Sequence, residues 1–332
     1  MKDLIELLPI LRFGTDKKSY PIYASYISSV GASVRVCNDL FFIKADAEVP
    51  FYGNVNYFVL ESILKTRENM ECNDSETIIT ITDNKNFNSK IPKMPMDIPD
   101  LPRPSTATLV LSHEMIESIK LASLFTGKDL YSNVLLFNGG ILASDKLRIY
   151  YNPIELNLES TISLNHKVIQ FIATLADKYT VGLSEKDVLC IDFGRGYALC
   201  PPESNSEYPY SKIVEFVDNM SQIVTDLCPV DQLLKALKDT SPVFFGETSN
   251  AVFLDNDNHG LDVIASSPLN GEIKVGLESL IQKQFKTQFQ ASMFKSIPSD
   301  YMVAIDPANP NKLFLKTTFD KSSIVLMGLR LD

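Results

Sequence analysis

The chain has 332 residues, 45% of them hydrophobic and 22% charged, which is too apolar for wholesale disorder and long enough for two or three modest cores. Its formal charge of -10, from 31 Lys and Arg against 41 Asp and Glu, makes the molecule as a whole repel nucleic acid and anionic membranes at long range. A basic nucleic-acid arm is thereby excluded, but net charge averages over surfaces, and a ring or cleft can be acidic outside and basic inside. The five cysteines, Cys37, Cys72, Cys190, Cys200 and Cys228, include no CxxC pair and make neither a disulfide framework nor a zinc site, so a reducing compartment is expected. No apolar run approaches the roughly 18 residues of a membrane span. The N-terminal MKDLIELLPILRFGTDKK is interrupted by Asp3 and Glu6, precedes no small-residue cleavage site, and reads as an amphipathic helix of a cytoplasmic protein.

In chain order the first predicted element is a helix over 2–12, which Pro9 should interrupt. Strands follow in YASYISSV, SVRVCN and FFIKADAEV. A helix over 55–69 carries Phe58, Leu60, Ile63 and Leu64 at helical spacing, and strands TIITITD, ending at Asp83, and SKIP (89–92) come next. The proline-rich KIPKMPMDIPDLPRPS (90–105) can be neither a helix nor a central strand and reads as a linker. A helix over 112–126, N-capped by Ser112, opens a second series: NVLLFN, ILASD and RIYYNP as strands, a helix over 164–179, then VLCID to Asp192 and YALCP (197–201). CPPESNSEYPYS (200–211) suggests a second boundary. The third series has a helix over 229–239 begun by Pro229-Val230-Asp231, strands AVFLDN and LDVIAS, a helix over 273–289, and strands YMVAID to Asp306 and KLFLKTT (312–318).

Setting Leu60 on Ile169 and on Leu277 superposes the three later helices at a spacing of about 108 residues. The expected fold is therefore α+β: three repeated domains, 1–103, 104–206 and 207–332, each of two helices packed on antiparallel strands.

Signals of an enzyme are thin. His113, His166 and His259 lie far apart, without a companion at helical spacing, and read as surface or capping residues. DFGRG (192–196) lacks the glycine-rich loop, the VAIK lysine and the HRD loop of a kinase, so Gly194 and Gly196 are expected only to supply turn conformations. Asn138-Gly139-Gly140 between two apolar strands is a hairpin turn. No catalytic residue, metal ligand or cofactor motif emerges. Lys and Arg recur on or beside the six proposed helices: Lys65, Arg67, Lys120, Lys167, Lys235, Lys238, Lys274, Lys283 and Lys286. Two readings stand, a solvated face shared with Glu61, Glu114, Glu117 and Glu278, or sparse cations offered to phosphates without sequence preference.

The chain ends SSIVLMGLRLD (322–332), which, with the threefold repeat, resembles the end of bacterial β-type DNA sliding clamps, the DNA polymerase III subunit beta family, where VVMPMRL is usual. LYSNVLLFNGGILASDKLRIYYN (130–152) resembles that family's YLNGMLFE and TDGHRLA, MPMDIPDLP resembles LPxxDFPxLP at the end of domain one, and YPYSKIV (208–214) resembles FPDYRxV at the start of domain three. The resemblance implies a non-enzymatic processivity factor: a head-to-tail homodimer ring, twelve helices lining a hole, a sheet outside. Its implied partners are double-stranded DNA without sequence preference, a replicative polymerase, a clamp loader and a second copy, with no membrane and no cofactor. It also implies a hydrophobic pocket for partner peptides, matched here by Ser144, Lys146, Leu147, Ile149, Pro209, Lys212, Ile213, Val325, Met327, Gly328, Leu329 and Arg330.

Lys146-Leu147 replaces Gly-His, Gly328-Leu329 replaces the Pro-Met that follows the first Met, and Ser132 replaces Leu. Such a reshaped pocket would suit a dedicated polymerase, as expected of a bacteriophage clamp in an infected-host cytoplasm. The alternatives are that Ile324 to Leu331 is simply an edge strand, and that the protein is a repeat-built structural or adaptor component, such as a virion part, that does not encircle DNA.

Overall fold

A computed structural model describes residues 1–18, 22–83, 85–104, 109–158, 160–185, 188–203, 207–247, 250–257, 259–317 and 321–329. The first repeat runs α1 (Lys2–Leu11), β1 (Tyr26–Val30), β2 (Ser33–Cys37), β3 (Phe42–Asp46), β4 (Gly53–Asn56), α2 (Tyr57–Thr66), then a meander of β5 (Glu71–Asp74), β6 (Ile78–Thr82) and β7 (Asn88–Pro92). After β8 (Leu109–Val110), the second has α3 (His113–Ser123), β9 (Val134–Phe137), β10 (Gly140–Ser144), β11 (Arg148–Asn152), β12 (Ile162–Leu164), α4 (His166–Ala176), β13 (Val181–Glu185), β14 (Leu189–Phe193) and β15 (Gly196–Cys200). Helix α5 (Tyr210–Ile223) precedes the third, which has β16 (Thr225–Pro229), α6 (Val230–Thr240), β17 (Ala251–Asp257), β18 (Gly260–Ser267), β19 (Gly271–Leu277), β20 (Phe285–Gln290), β21 (Tyr301–Ile305), β22 (Lys312–Thr317) and β23 (Ser323–Met327).

The α+β class and the repeat plan are as the sequence predicts, with local corrections. Residues 273–289 are not a helix: Ile273, Val275 and Leu277 alternate along β19, and Phe285, Thr287 and Phe289 point inward along β20. Short apolar runs satisfy either period, and pairing of β19 with β18 from Gly271 to Leu277 decides for the strand. The second helix of the third repeat is a single 3-10 turn, Ala291–Phe294, so Leu277 is no counterpart of Leu60. YMVAID likewise begins its meander, whereas TIITITD and VLCID are the middle strands of theirs. Finally, α1 runs straight through Pro9. Burial of Leu4, Leu7, Leu8, Ile10 and Leu11, and the Tyr57 hydroxyl donating to the Leu8 carbonyl at 2.8 Å, outweigh the missing N–H.

The chain divides into two compact units, one of Met1–Glu117 and Lys167–Ser204, the other of Ser118–His166 and Asn205–Asp332, so the middle repeat contributes to both. The first unit holds an eight-stranded antiparallel sheet ordered β4-β1-β2-β3-β15-β14-β13-β8 and the small sheet β5-β6-β7. Its seam joins β3 of one repeat to β15 of the next, from Gly196 opposite Ala45 to Leu199 opposite Phe42. Gly196 is not in the left-handed region, contrary to the turn role expected of it. It is needed because a Cβ there would lie 2.2 Å from the Lys44 carbonyl oxygen.

The proline-rich segment 93–104 lies extended across one face of this sheet. Ile98 is buried with Phe42, Cys190 and Leu199, Asp100 bridges Lys44 at 2.8 Å and Arg35 at 3.0 Å, Arg103 pairs with Asp192 at 2.8 Å, and the Tyr197 hydroxyl donates to the Leu101 carbonyl.

The second unit repeats the construction with β12-β9-β10-β11-β23-β22-β21-β16, together with a four-stranded sheet β19-β18-β17-β20. The seam here is β11 with β23, Arg148 opposite Leu326 through Tyr151 opposite Ser323. The C-terminal strand is therefore central, between β22 and β11, and not an edge strand. Asn138-Gly139 forms the expected two-residue hairpin turn, with Phe137 paired to Gly140.

Candidate peptide groove and phosphate-facing helices

The residues predicted for a peptide pocket come from three elements of the second unit, and Ile149, Ile213, Val325 and Met327 among them share one apolar cluster. The β10–β11 turn brings Ser144, Lys146, Leu147 and Ile149; β23 and the residues after it bring Val325, Met327, Gly328 and Leu329; and the start of α5 brings Pro209, Lys212 and Ile213. Ile149 stands directly opposite Val325 in the sheet, and the Met327 N–H donates to the Leu147 carbonyl at 2.9 Å. Arg330 lies outside the described residues.

Leu135, Phe137, Leu142, Ile149, Tyr151, Phe314 and Val325 form one apolar floor, and Ile213 and Met327 pack on it half-buried. Leu147 remains 45% exposed at the rim, while Val325 is fully buried and Ile149 nearly so.

Two of the three departures from the family pattern can be placed in the local backbone. Lys146 sits at φ +76°, the left-handed region that favours the glycine usual there. The turn is held all the same: Asp145 accepts from the Leu147 and Arg148 N–H groups and from Arg148 Nε at 2.7 Å, and the Lys146 ammonium lies 5.5 Å from the centre of the Tyr131 ring. At Gly328 the N–H donates to the Asn311 carbonyl at 2.6 Å, and an added Cβ would stand 2.7 Å from that same oxygen. A proline could neither donate nor fit.

Sequence reasoning passed over Tyr131, Tyr151, Tyr208, Phe137 and the helical form of 210–223. Apolar Ile213, Val214, Val217, Met220 and Val224 at helical spacing are the signal that would have found the helix. Val217 and Met220 are buried on the floor, the Phe137 and Tyr210 rings meet at 5.2 Å, and Lys312 lies 5.2 Å from the Phe216 ring. The Tyr208 hydroxyl is buried with no hydrogen-bond partner among the described residues, and burial pushes its pKa well above the usual phenol range. Burial, and then the Asp218 carboxylate, raise that of Tyr151.

The predicted phosphate-facing cations divide. In the first unit Lys65 lies in the last turn of α2 and pairs with Glu61 at 2.9 Å, Arg67 follows the helix and pairs with Asp83 at 3.2 Å, and Lys167 is exposed at the start of α4. In the second, Lys120 lies in the last turn of α3, and Lys235 and Lys238 are exposed on α6. Lys274, Lys283 and Lys286 are on no helix. Lys274, on β19, pairs with Asp262 at 2.6 Å, which raises its pKa, and Lys286, on β20, pairs with Asp255 at 3.3 Å; Lys283 is exposed in the loop between these strands. His113 and His166 are exposed at helix starts, and His259 is exposed beside the β17–β18 turn.

No protein-family model matches the sequence, and no curated protein matches it. Solved structures do. DNA polymerase III subunit beta from Pseudomonas aeruginosa aligns at TM-score 0.79 with 17% identity, over 99% of this chain and 98% of that one. The beta subunit from Thermotoga maritima aligns at 0.81 with 15% identity over 100% and 98%, and the DNA polymerase sliding clamp from Bacillus subtilis at 0.82 with 11% identity over 100% and 98%. Identities this low speak for architecture, and the coverage leaves no part of the chain outside it: the protein has the sliding-clamp fold of three repeated domains.

Proposed function

We propose that this protein is a DNA sliding clamp, a non-enzymatic processivity factor that two copies form by closing head to tail around duplex DNA. The observation that carries the reading is the seam. Twice, the third strand of a four-stranded set in one repeat pairs with the last strand of the next repeat's meander, β3 with β15 and β11 with β23. By the same rule β19 should pair with a β7. Both are edge strands, largely exposed, and an exposed edge is a template for another chain. A second copy's β7 on this β19, and the reverse, pairs both of these edges and closes a ring, its three domains being 1–103, 104–206 and 207–332.

In that ring α1, α2, α3, α4 and α6 of each copy face DNA, five helices where the family plan has six, because the 3-10 turn at Ala291–Phe294 replaces one. A helix of 11 residues spans about 16 Å, crossing several phosphates of a duplex that carries one charge per roughly 1.7 Å. Lys65, Arg67, Lys120, Lys167, Lys235 and Lys238 would touch phosphates weakly enough to slide, and topology would supply retention. The charge of -10 then lies mainly outside and discourages external binding. Met and Leu walls suit the apolar anchors of an extended peptide, so the polymerase and the loader would dock at the Leu147–Met327 groove. Among the described residues no helix is long and apolar enough to cross a membrane, and the proposed setting is the cytoplasm of a bacterium or an infected cell.

Sedimentation and retention on circular DNA test this together. The expected result is a two-copy particle held on nicked circular DNA through a salt wash and lost on linearisation. A monomer at micromolar concentration, or equal loss from circular and linear DNA, refutes it.

A further inference from the structure

We infer that α5 is a displaceable roof over the apolar groove, and that a partner peptide reaches the groove floor by lifting it. This rests on the peptide-groove reading of the preceding section and adds a closed state to it. Val217 and Met220 are buried in one cluster with Ile149, Tyr151 and Val325, so they would have to leave for two apolar anchors of an extended peptide to enter, with the exposed Leu147 as the foothold.

How α5 is held distinguishes a roof from a wall. The corresponding cover of the first unit, segment 93–104, is tied to its sheet by ion pairs of Asp100 and Arg103 and by the Tyr197 hydroxyl. Among the described residues, no side chain of α5 makes an ion pair or a hydrogen bond to the sheet, and only apolar, ring and cation–ring contacts hold it. Such contacts are non-directional, so a peptide with anchors of similar size replaces them at little net cost.

The helix also lacks support of its own. Pro209 stands at its N-cap without a capping side chain, no acid occupies the first turn and no base the last. By contrast, Asn56 caps α2, and α6 has Asp231 and Lys238 at its two ends. An uncapped helix of 14 residues depends on its packing to stay folded. Beneath its start lies the Tyr208 hydroxyl, buried with no hydrogen-bond partner among the described residues. That group gains water when α5 lifts, which narrows the gap between closed and open states.

A closed roof lowers apparent affinity in proportion to the open fraction, so weakening the roof should tighten binding. Two measurements on the full-length protein decide. In native-state hydrogen exchange, amides of 213–223 should exchange at least about 100-fold faster than those of β22 and β23, through a local opening; equal protection overturns the proposal. The second uses a fluorescein-labelled synthetic peptide with adjacent Leu and Phe anchors. Met220→Ala should bind it about tenfold tighter than the unaltered protein, whereas Leu147→Ala should bind it more weakly. Binding that Leu147→Ala weakens but Met220→Ala leaves unchanged overturns the roof while the groove stands. If no form binds although exchange reports the opening, the groove reading is wrong and peptide entry falls with it.

Discussion

Replacing Gly196 by alanine places a carbon 2.2 Å from the Lys44 carbonyl oxygen and 2.8 Å from the Ala45 Cα. Both obstacles are backbone of β3, so no rotamer relieves them, and β15 must move away by about 1 Å to restore ordinary contact. The hydrogen bond from the Asp46 N–H to the Arg195 carbonyl, 2.7 Å long, and the pairing of Gly196 with Ala45 lie at this point of the seam. Losing about two such bonds at ~1 kcal/mol each, with the packing beside them, outweighs the 0.4–1 kcal/mol or so that alanine gains by restricting the unfolded chain. The expected net loss is about 2–3 kcal/mol, or roughly 5–10 °C in Tm for a unit of this size.

Gly194, two residues earlier, is the internal control. A Cβ there meets only Tyr179 Cδ1 at 3.6 Å, an ordinary contact, and its φ is not left-handed. Gly194→Ala should be neutral or slightly stabilising. Thermal and urea unfolding of the two variants side by side check the argument, and equal stability of Gly196→Ala and the unaltered protein would refute it.

Other consequences are open to direct measurement. Lys235→Ala with Lys238→Ala should weaken binding to linear duplex DNA and flatten its dependence on log salt by about three to four, since each lost phosphate contact removes about 0.9 from the slope and a two-copy ring loses four. Lys286→Ala should change neither, because Asp255 already neutralises that ammonium on a strand. Gly328→Pro, which restores the residue usual in the family, should destabilise the protein by about 2–3 kcal/mol in urea titration, through the lost bond to Asn311 and the clash with its carbonyl.

Burial pushes Cys37 up to about 11 and Cys190 and Cys228 up to about 12, and leaves Cys72 half-exposed. In a thiol-reagent assay at pH 8 one cysteine should react promptly and four only on unfolding. Because the folded state keeps these protons longer than the unfolded chain does, stability should be unaffected by them below about pH 8.5 and fall as pH rises from there toward 12. A flat profile over that range would contradict the burial.

What was legible in the sequence follows the range of the forces involved. Strands β17 and β18 announce themselves by alternation, β9, β10 and β11 as short apolar runs bounded by turn residues, and α2, α3, α4 and α6 by helical spacing. These are local properties of side chains on a regular backbone. Residues 273–289 failed because a few alternating apolar residues fit both periods, and α1 defied Pro9 because its buried leucines outweigh one hydrogen bond. The candidate groove residues from the β10–β11 turn, from β23 and from 209–213 were identifiable by resemblance, but the helix that follows was not, since its packing exists only once Val217 and Met220 meet the sheet.

By itself, then, the sequence determined a thrice-repeated α+β plan, an acidic protein with scattered helix cations, and the places where linkers and turns must fall. Only the tertiary structure decided that β3 joins β15 and β11 joins β23, that β7 and β19 are left as edges, and that α5 packs on the apolar cluster of the second sheet. Strand partners are chosen by backbone hydrogen bonds between residues far apart in the chain. The backbone is the same at every residue, so the choice among alternating strands turns on contacts such as Gly196 against Lys44, which no local pattern encodes.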